Sequence, residues 1–406
     1  MAKGRYAVVG GTTRKVKKRY AVVGGVTRKI KKRYVVVDGK TRLCWSGFTP
    51  KFACAVGGYD LKKDYVLSSE NMTSWTKSAQ FSDAIMSQGT LYYGDEDRDA
   101  VVYGNNMYVV SHGSRTSATA AIELSVSYSE DAVTWTKVVV DSSISVSTYE
   151  RKLRFCNGLF ILYATKNKSY DTTYLYTSSD GKTWTKVGLV TNFASYYSFT
   201  DCMRTDIVYT QIDGAYKYVT MLYHGGNSKS YVCYSTDLLT WNTTNYMPNN
   251  NNGGNYDALA LHEVNGTLYA IIRPNVQYSS QYLIKVLTDT CIGYTGSSYY
   301  YFGGSCVDYD SGKIIFFAGD GNTSTDFDYY VSNLSSLTCV KSGTLSGYSD
   351  WSCPSCGNGK IVQLVNNTSQ GNLSVRYGTV GGDWTYIIIS EYIGKLSIKR
   401  MVFARE

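Results

Sequence analysis

The sequence predicts an all-β fold: a seven-bladed β-propeller, with a six-bladed ring as the alternative, preceded by an N-terminal arm of β-hairpins. Three observations predict it. Tyrosine (39) and glycine (38) are abundant while proline is scarce (4), a balance that suits pleated strands joined by tight turns. No segment carries the apolar period of a long amphipathic helix. A Ser-x-Asp/Asn-x-x-Thr/Ser-Trp pattern recurs, with its clear tryptophans 60, 49 and 57 residues apart, a spacing that fits one four-stranded blade per repeat. The 406 residues are 43% hydrophobic and 18% charged, as expected of a folded chain.

The arm comes first, over residues 1–47. Three units of 14 residues align without gaps, beginning Arg5-Tyr6-Ala7-Val8-Val9-Gly10-Gly11, Arg19-Tyr20-Ala21-Val22-Val23-Gly24-Gly25 and Arg33-Tyr34-Val35-Val36-Val37-Asp38-Gly39. Each reads as strand, two-residue turn, strand, because Gly-Gly and Asp-Gly supply the positive φ of a tight hairpin. Successive hairpins predict a meander or a short stacked sheet. One such hairpin is marginal in water, so the arm is expected to gain order from a partner. Residues 1–42 hold 14 Lys/Arg and one acid, Asp38, for a net +13, whereas residues 43–406 sum to −4. A basic partner-seeking surface therefore belongs to the first tenth of the chain. Phosphate neutralisation with Tyr stacking is one use of such charge, but no base-reading module accompanies it.

The repeat Tyr-x-Val-Val, its Gly/Asp-Gly turn, the Thr-Arg-Lys that follows, and the closing Cys44-Trp45-Ser46-Gly47 resemble the N-terminal segments of tail-associated virion proteins in phages and prophages of Firmicutes. The resemblance covers residues 1–47. It implies attachment to other virion or tail proteins, and by analogy with tail appendages a homo-oligomer in the particle.

The body, residues 48–406, is built on the Trp motif. Its copies centre on Asn71 and Trp75, Asp131 and Trp135, Asp180 and Trp184, and Asp237 and Trp241. Three weaker copies fall around Thr288-Asp289, Ser332-Asn333 and Gly381-Gly382-Asp383-Trp384. Asp and Ser side chains can accept backbone N–H bonds within a turn, and the Trp ring buries a large area against neighbouring strands. The motif resembles the Asp box, or bacterial neuraminidase repeat, of sialidases and other propellers, with one residue fewer between Asp and Trp. That resemblance implies a structural turn between the third and fourth strands of a blade. Short β-rich runs surround each copy, such as Thr173–Thr177 and Val219–Tyr223, and second strands follow turns at Gly158, Gly266 and Gly312. Counting copies gives seven blades. The first is short of sequence, which predicts that Leu396–Ala404 pairs with it to close the ring.

Ligand-binding candidates precede the innermost strands at Arg98, Tyr149, Glu150, Arg151, Arg204, Tyr256 and Asp257, and Arg273 is a further arginine available to them. A sialidase-like site would use an arginine clamp, a Tyr–Glu nucleophile pair and an Asp acid. Tyr256–Leu259 followed by Ile271–Pro274 is similar to sialidase blades, but no Arg-Ile-Pro motif opens the propeller. No catalytic residue is assigned. No cofactor and no metal are expected. Cys353-Pro354-Ser355-Cys356 has no second pair at metal spacing, so its cysteines read as ordinary thiols. No apolar run reaches a secretory core or a membrane span, so no membrane partner is expected, and the resemblance implies residence in a virion after synthesis in the host cytoplasm. The functional reading is a virion-associated adhesin, with the arm as anchor and the propeller binding a host-surface glycan or protein. A sialidase-like glycoside hydrolase and a nucleic-acid-associated structural protein are the alternatives.

Overall fold

The computed structural model describes residues 6–9, 12–15, 19–23, 26–30, 32–37 and 40–46, and from residue 51 onward all but 59–63, 82–100, 113–121, 147–150, 166–171, 192–198, 204, 225–228, 245–255, 275–279, 287–289, 295–298, 321–326, 337, 346–349, 352–353, 358, 368–371, 380–381, 392–395 and 405–406. The chain divides into two compact units, 1–51 with 405–406, and 52–404.

The first unit contains three antiparallel hairpins: Tyr6–Val9 with Thr12–Lys15, Arg19–Val23 with Val26–Ile30, and Lys32–Val37 with Lys40–Ser46. Each unit of the repeat is thus one hairpin, as its turn dipeptide requires. The expected meander does not form among the described residues, since each hairpin is a separate two-stranded sheet.

The second unit is a seven-bladed β-propeller. Five blades are uninterrupted antiparallel meanders, opening at Val102–Gly104, Arg151–Cys156, Val208–Ile212, Tyr256–Val264 and Tyr299–Asp308. These are the second to sixth blades. The seventh has a split innermost strand, Asp350–Trp351 and Ser355–Gly357, both paired to Lys360–Asn367. The first blade takes its innermost strand from the far end of the chain: Leu396–Ala404 lies beside Lys51–Gly58, followed by Tyr65–Ser69 and Thr76–Lys77. The ring closes as the strand count predicted, and the six-bladed alternative falls.

Two-residue turns join first to second strands. Asn157 and Gly158, Asp213 and Gly214, and Asn265 and Gly266 all have positive φ, as a primed hairpin turn demands. The Ser-x-Asp turns join third to fourth strands. In the third blade the Ser178 hydroxyl donates to Asp180 Oδ1 (3.0 Å), which accepts from the N–H groups of Lys182 and Thr183 at 2.8 Å each. Asp237 repeats this with Leu239 (2.9 Å) and Thr240 (2.7 Å), and Asp131 with Val133 and Thr134 at 2.8 Å each. Asn71 substitutes its amide oxygen, accepting from Thr73 (3.1 Å) and Ser74 (2.8 Å). The residue after each of these four is left-handed: Met72, Ala132, Gly181 and Leu238.

The tryptophans do more than close their own hairpins. Trp75 packs on the core shared by the seventh and first blades, Trp184 on that of the second and third, Trp241 on that of the third and fourth, and Trp384 on that of the sixth and seventh. Every one faces the preceding blade, so a turn motif becomes an inter-blade rivet. Trp75, Trp184 and Trp241 donate Nε1 to the carbonyls of Met72 (2.8 Å), Gly181 (3.2 Å) and Leu238 (3.1 Å). Trp135 departs from this pattern and instead meets the Phe81 ring edge-on at 5.6 Å. A helix of four residues, Phe199–Cys202, lies between the third and fourth blades, where Phe199 contacts Tyr163 and Trp241.

Candidate functional site

Antiparallel meanders put alternate connections at opposite ends of a blade. Connections from second to third strands, and from one blade to the next, share one end, and the hairpin turns and Ser-x-Asp turns share the other. The sequence candidates belong to the first end.

There, Arg98, Tyr149, Glu150 and Arg204 lie outside the described residues. Arg151 opens the innermost strand of the third blade and is 1% exposed. Its Nε donates to the hydroxyl of Ser111 in the second blade at 2.9 Å. Tyr256 is buried in the core between the fourth and fifth blades. Asp257 and Arg273 are directly opposed across two strands and form an ion pair, Nη2 to Oδ2 at 3.3 Å. The structure therefore joins two of the eight candidates in one contact. It seats Arg151 and Tyr256 between blades.

Several groups missed from sequence behave the same way. Arg154 pairs with Asp206 at 3.1 Å, linking the third blade to the approach of the fourth. Arg376 is buried and places Nε (2.9 Å) and Nη2 (2.6 Å) on Gln363 Oε1. His112 meets the Ser127 hydroxyl, and His262 the Ser305 hydroxyl, each at 2.7 Å through Nε2. A buried charge is costly unless matched by hydrogen bonds or an opposite charge, and for Arg154 the Asp206 carboxylate supplies an opposite charge. The carboxylates of Asp206 and Asp257 are thereby committed to arginines. Glycoside hydrolysis needs two carboxyl groups facing one bond, and these two each face an arginine. The described residues hold no cluster of three metal-ligating side chains. No helix is long and apolar enough to cross a membrane among the described residues.

The other end presents aromatic rings. In the first hairpin of the fourth blade, Tyr209 stands directly opposite Tyr218, with ring centres 4.8 Å apart. Tyr216 stacks on Tyr209 at 5.5 Å with an interplanar angle of 21°. Tyr216 is 62% exposed and Tyr209 37%, whereas Tyr218 is buried. Asn157 from the third blade's turn donates to the Tyr218 hydroxyl at 3.2 Å, which fixes the base of the stack. Tyr309, in the corresponding turn of the sixth blade, is also exposed. Large apolar rings held rigid in water are the feature of this end that packing within the blade does not explain.

No family model matches the chain, and no curated protein matches it. Solved structures do. The BP39L lectin from Burkholderia pseudomallei superposes with a TM-score of 0.56 at 9% identity, over 84% of this chain and 96% of that one. A candidate 6-phosphogluconolactonase from Bacteroides fragilis gives 0.51 at 9% identity, over 87% and 98%. Puromycin hydrolase gives 0.50 at 8% identity, over 82% and 52%. These likenesses place the chain among β-propellers, whose members include lectins and lactonases.

Proposed function

We propose that the protein is a virion-associated adhesin, with residues 1–47 anchoring it to a phage tail structure and the propeller binding a surface glycan. The observation that carries the glycan reading is the exposed Tyr209–Tyr216 stack. A stacked pair of tyrosines offers a flat apolar face for the C–H side of a sugar ring, with hydroxyls at its rim, and loses little side-chain entropy on binding. The ion-paired state of Asp206 and Asp257 supports binding over hydrolysis. The lectin among the structural neighbours supports the same class, and the repeat with its +13 charge supports the anchoring role.

A glycan panel tests the propeller. Tyr216→Ala should weaken the best ligand at least tenfold, about 1.4 kcal/mol, with the thermal midpoint unchanged. Equal binding by the variant would remove the stack from the site. Sugar release from the panel, abolished by Glu150→Ala or Asp257→Ala, would replace the adhesin with a sialidase-like hydrolase. Deleting residues 1–43 should leave a folded propeller absent from purified particles, and normal incorporation would end the anchoring reading.

A further inference from the structure

We propose that Cys306 and Cys356 form a disulfide that staples the innermost strands of the sixth and seventh blades. Cys306 lies in Tyr299–Asp308 and Cys356 in Ser355–Gly357, two strands that neighbour each other in the central ring. Their Sγ atoms are 2.6 Å apart, closer than non-bonded sulfurs rest. Both flank the core cluster of Ile315, Phe317 and Tyr329. The two strands are neighbours in the ring, the arrangement that a bridge between them needs, since a disulfide joins only cysteines whose backbones run close together.

The position gives the bond a purpose. Ser355–Gly357 is a three-residue fragment of a split strand, held by a short ladder to Lys360–Asn367. It sits between the sixth blade's innermost strand and the closing strand Leu396–Ala404. A covalent bond here fixes a short piece of the inner ring beside the closing strand. It also closes a loop containing the rest of the sixth blade, which restricts the unfolded chain.

The chemistry needs a small-molecule disulfide as oxidant. Cys356, the more exposed of the two, attacks as thiolate on one sulfur of that disulfide, forming a mixed disulfide and expelling one thiolate. Cys306 loses its proton to solvent and attacks the Cys356 sulfur, expelling the second thiolate. Two protein thiols lose two electrons and two protons, and the oxidant leaves as two thiols. The proposal is independent of the glycan reading.

The full-length protein is equilibrated with oxidised glutathione, alkylated, digested and mapped by mass spectrometry. The expected product is a Cys306–Cys356 cross-link, with eight of the ten cysteines still alkylated. The thermal midpoint should rise on oxidation in the wild type and in Cys353→Ser, and stay unmoved in Cys306→Ser and Cys356→Ser. A Cys353–Cys356 bridge, an uncross-linked Cys306, or a midpoint rise that survives Cys306→Ser overturns the proposal. The wild-type map decides the matter even if a serine variant fails to fold.

Discussion

At the scale of single residues, the Ser-x-Asp turn works by giving backbone donors an acceptor. Burial alone would raise the carboxyl of Asp180. The N–H groups of Thr183 and Lys182 and the Ser178 hydroxyl outweigh it and hold the group below its ordinary 3.8. Asp237 is lowered in the same way by Thr240, Leu239 and Ser235. A lowered carboxyl contributes stability that is complete above its unfolded value and is lost as pH falls through the folded one. Asp180→Ala should lower stability by about 1 kcal/mol through the lost acceptor. Asp180→Asn should lower it less, since Asn71 already fills this role in the first blade. The midpoint gap between wild type and Asp180→Asn should narrow as pH falls below about 4, and a gap constant with pH would show that the charge is idle. This motif was legible in the sequence because the hydrogen bonds of its turn fall within seven residues. The exposed Tyr209–Tyr216 stack was not. With 39 tyrosines in the chain, which two meet diagonally across a hairpin is a matter of register, and composition does not carry register.

Some packing between elements is visible only in three dimensions. In two of the seven blades the innermost strand ends in a glycine that receives an aromatic ring from the next. A Cβ at Gly104 of the second blade would run into Phe155 of the third, and one at Gly357 of the seventh into Phe403 of the first. Gly357→Ala should therefore cost about 1–3 kcal/mol by overpacking, and denaturant melts would show it. Farther out, Asp141 of the second blade accepts the Tyr176 hydroxyl (2.6 Å) and Lys186 Nζ (3.1 Å) of the third. Burial would raise this carboxyl, but Ser143, Tyr176 and Lys186 hold it well below the ordinary range. Asp141→Ala strands the Tyr176 hydroxyl and should cost about 1–3 kcal/mol. Tyr176→Phe on that background should cost little more, since the pair acts as a unit. Additive losses in the double-mutant cycle would refute the clamp. The arginines show why sites were harder to read than strands. Arg151 and Arg273 precede or end inner strands as a clamp would, yet alternation alone cannot say which face of a blade meets a neighbour. Cys356 reads in sequence as an ordinary thiol, because its contact with Cys306 lies fifty residues away in the adjoining blade.

For the whole molecule, the decisive fact is that the first blade is assembled from both ends of the propeller chain. The strand count exposed this because a blade with one strand too few must borrow from elsewhere. Leu396–Ala404 contributes Met401 and Phe403 to the core between the seventh and first blades, and supplies the ladder partner of Lys51–Gly58. A six-bladed remnant would have to change every inter-blade angle at once, breaking cores fitted to seven, and close-packed interiors resist such shifts. Truncation after residue 394 should then abolish cooperative unfolding, not merely shorten the chain. What the ring needs is the strand, wherever it enters the chain. A permuted protein carrying residues 396–404 through a flexible linker ahead of Lys51, with the original copy deleted, should regain a single sharp thermal transition and the far-ultraviolet spectrum of the parent. Cooperative folding by the truncated chain, or a permuted chain that stays unfolded, would show that closure by this strand is not what holds the seven blades together.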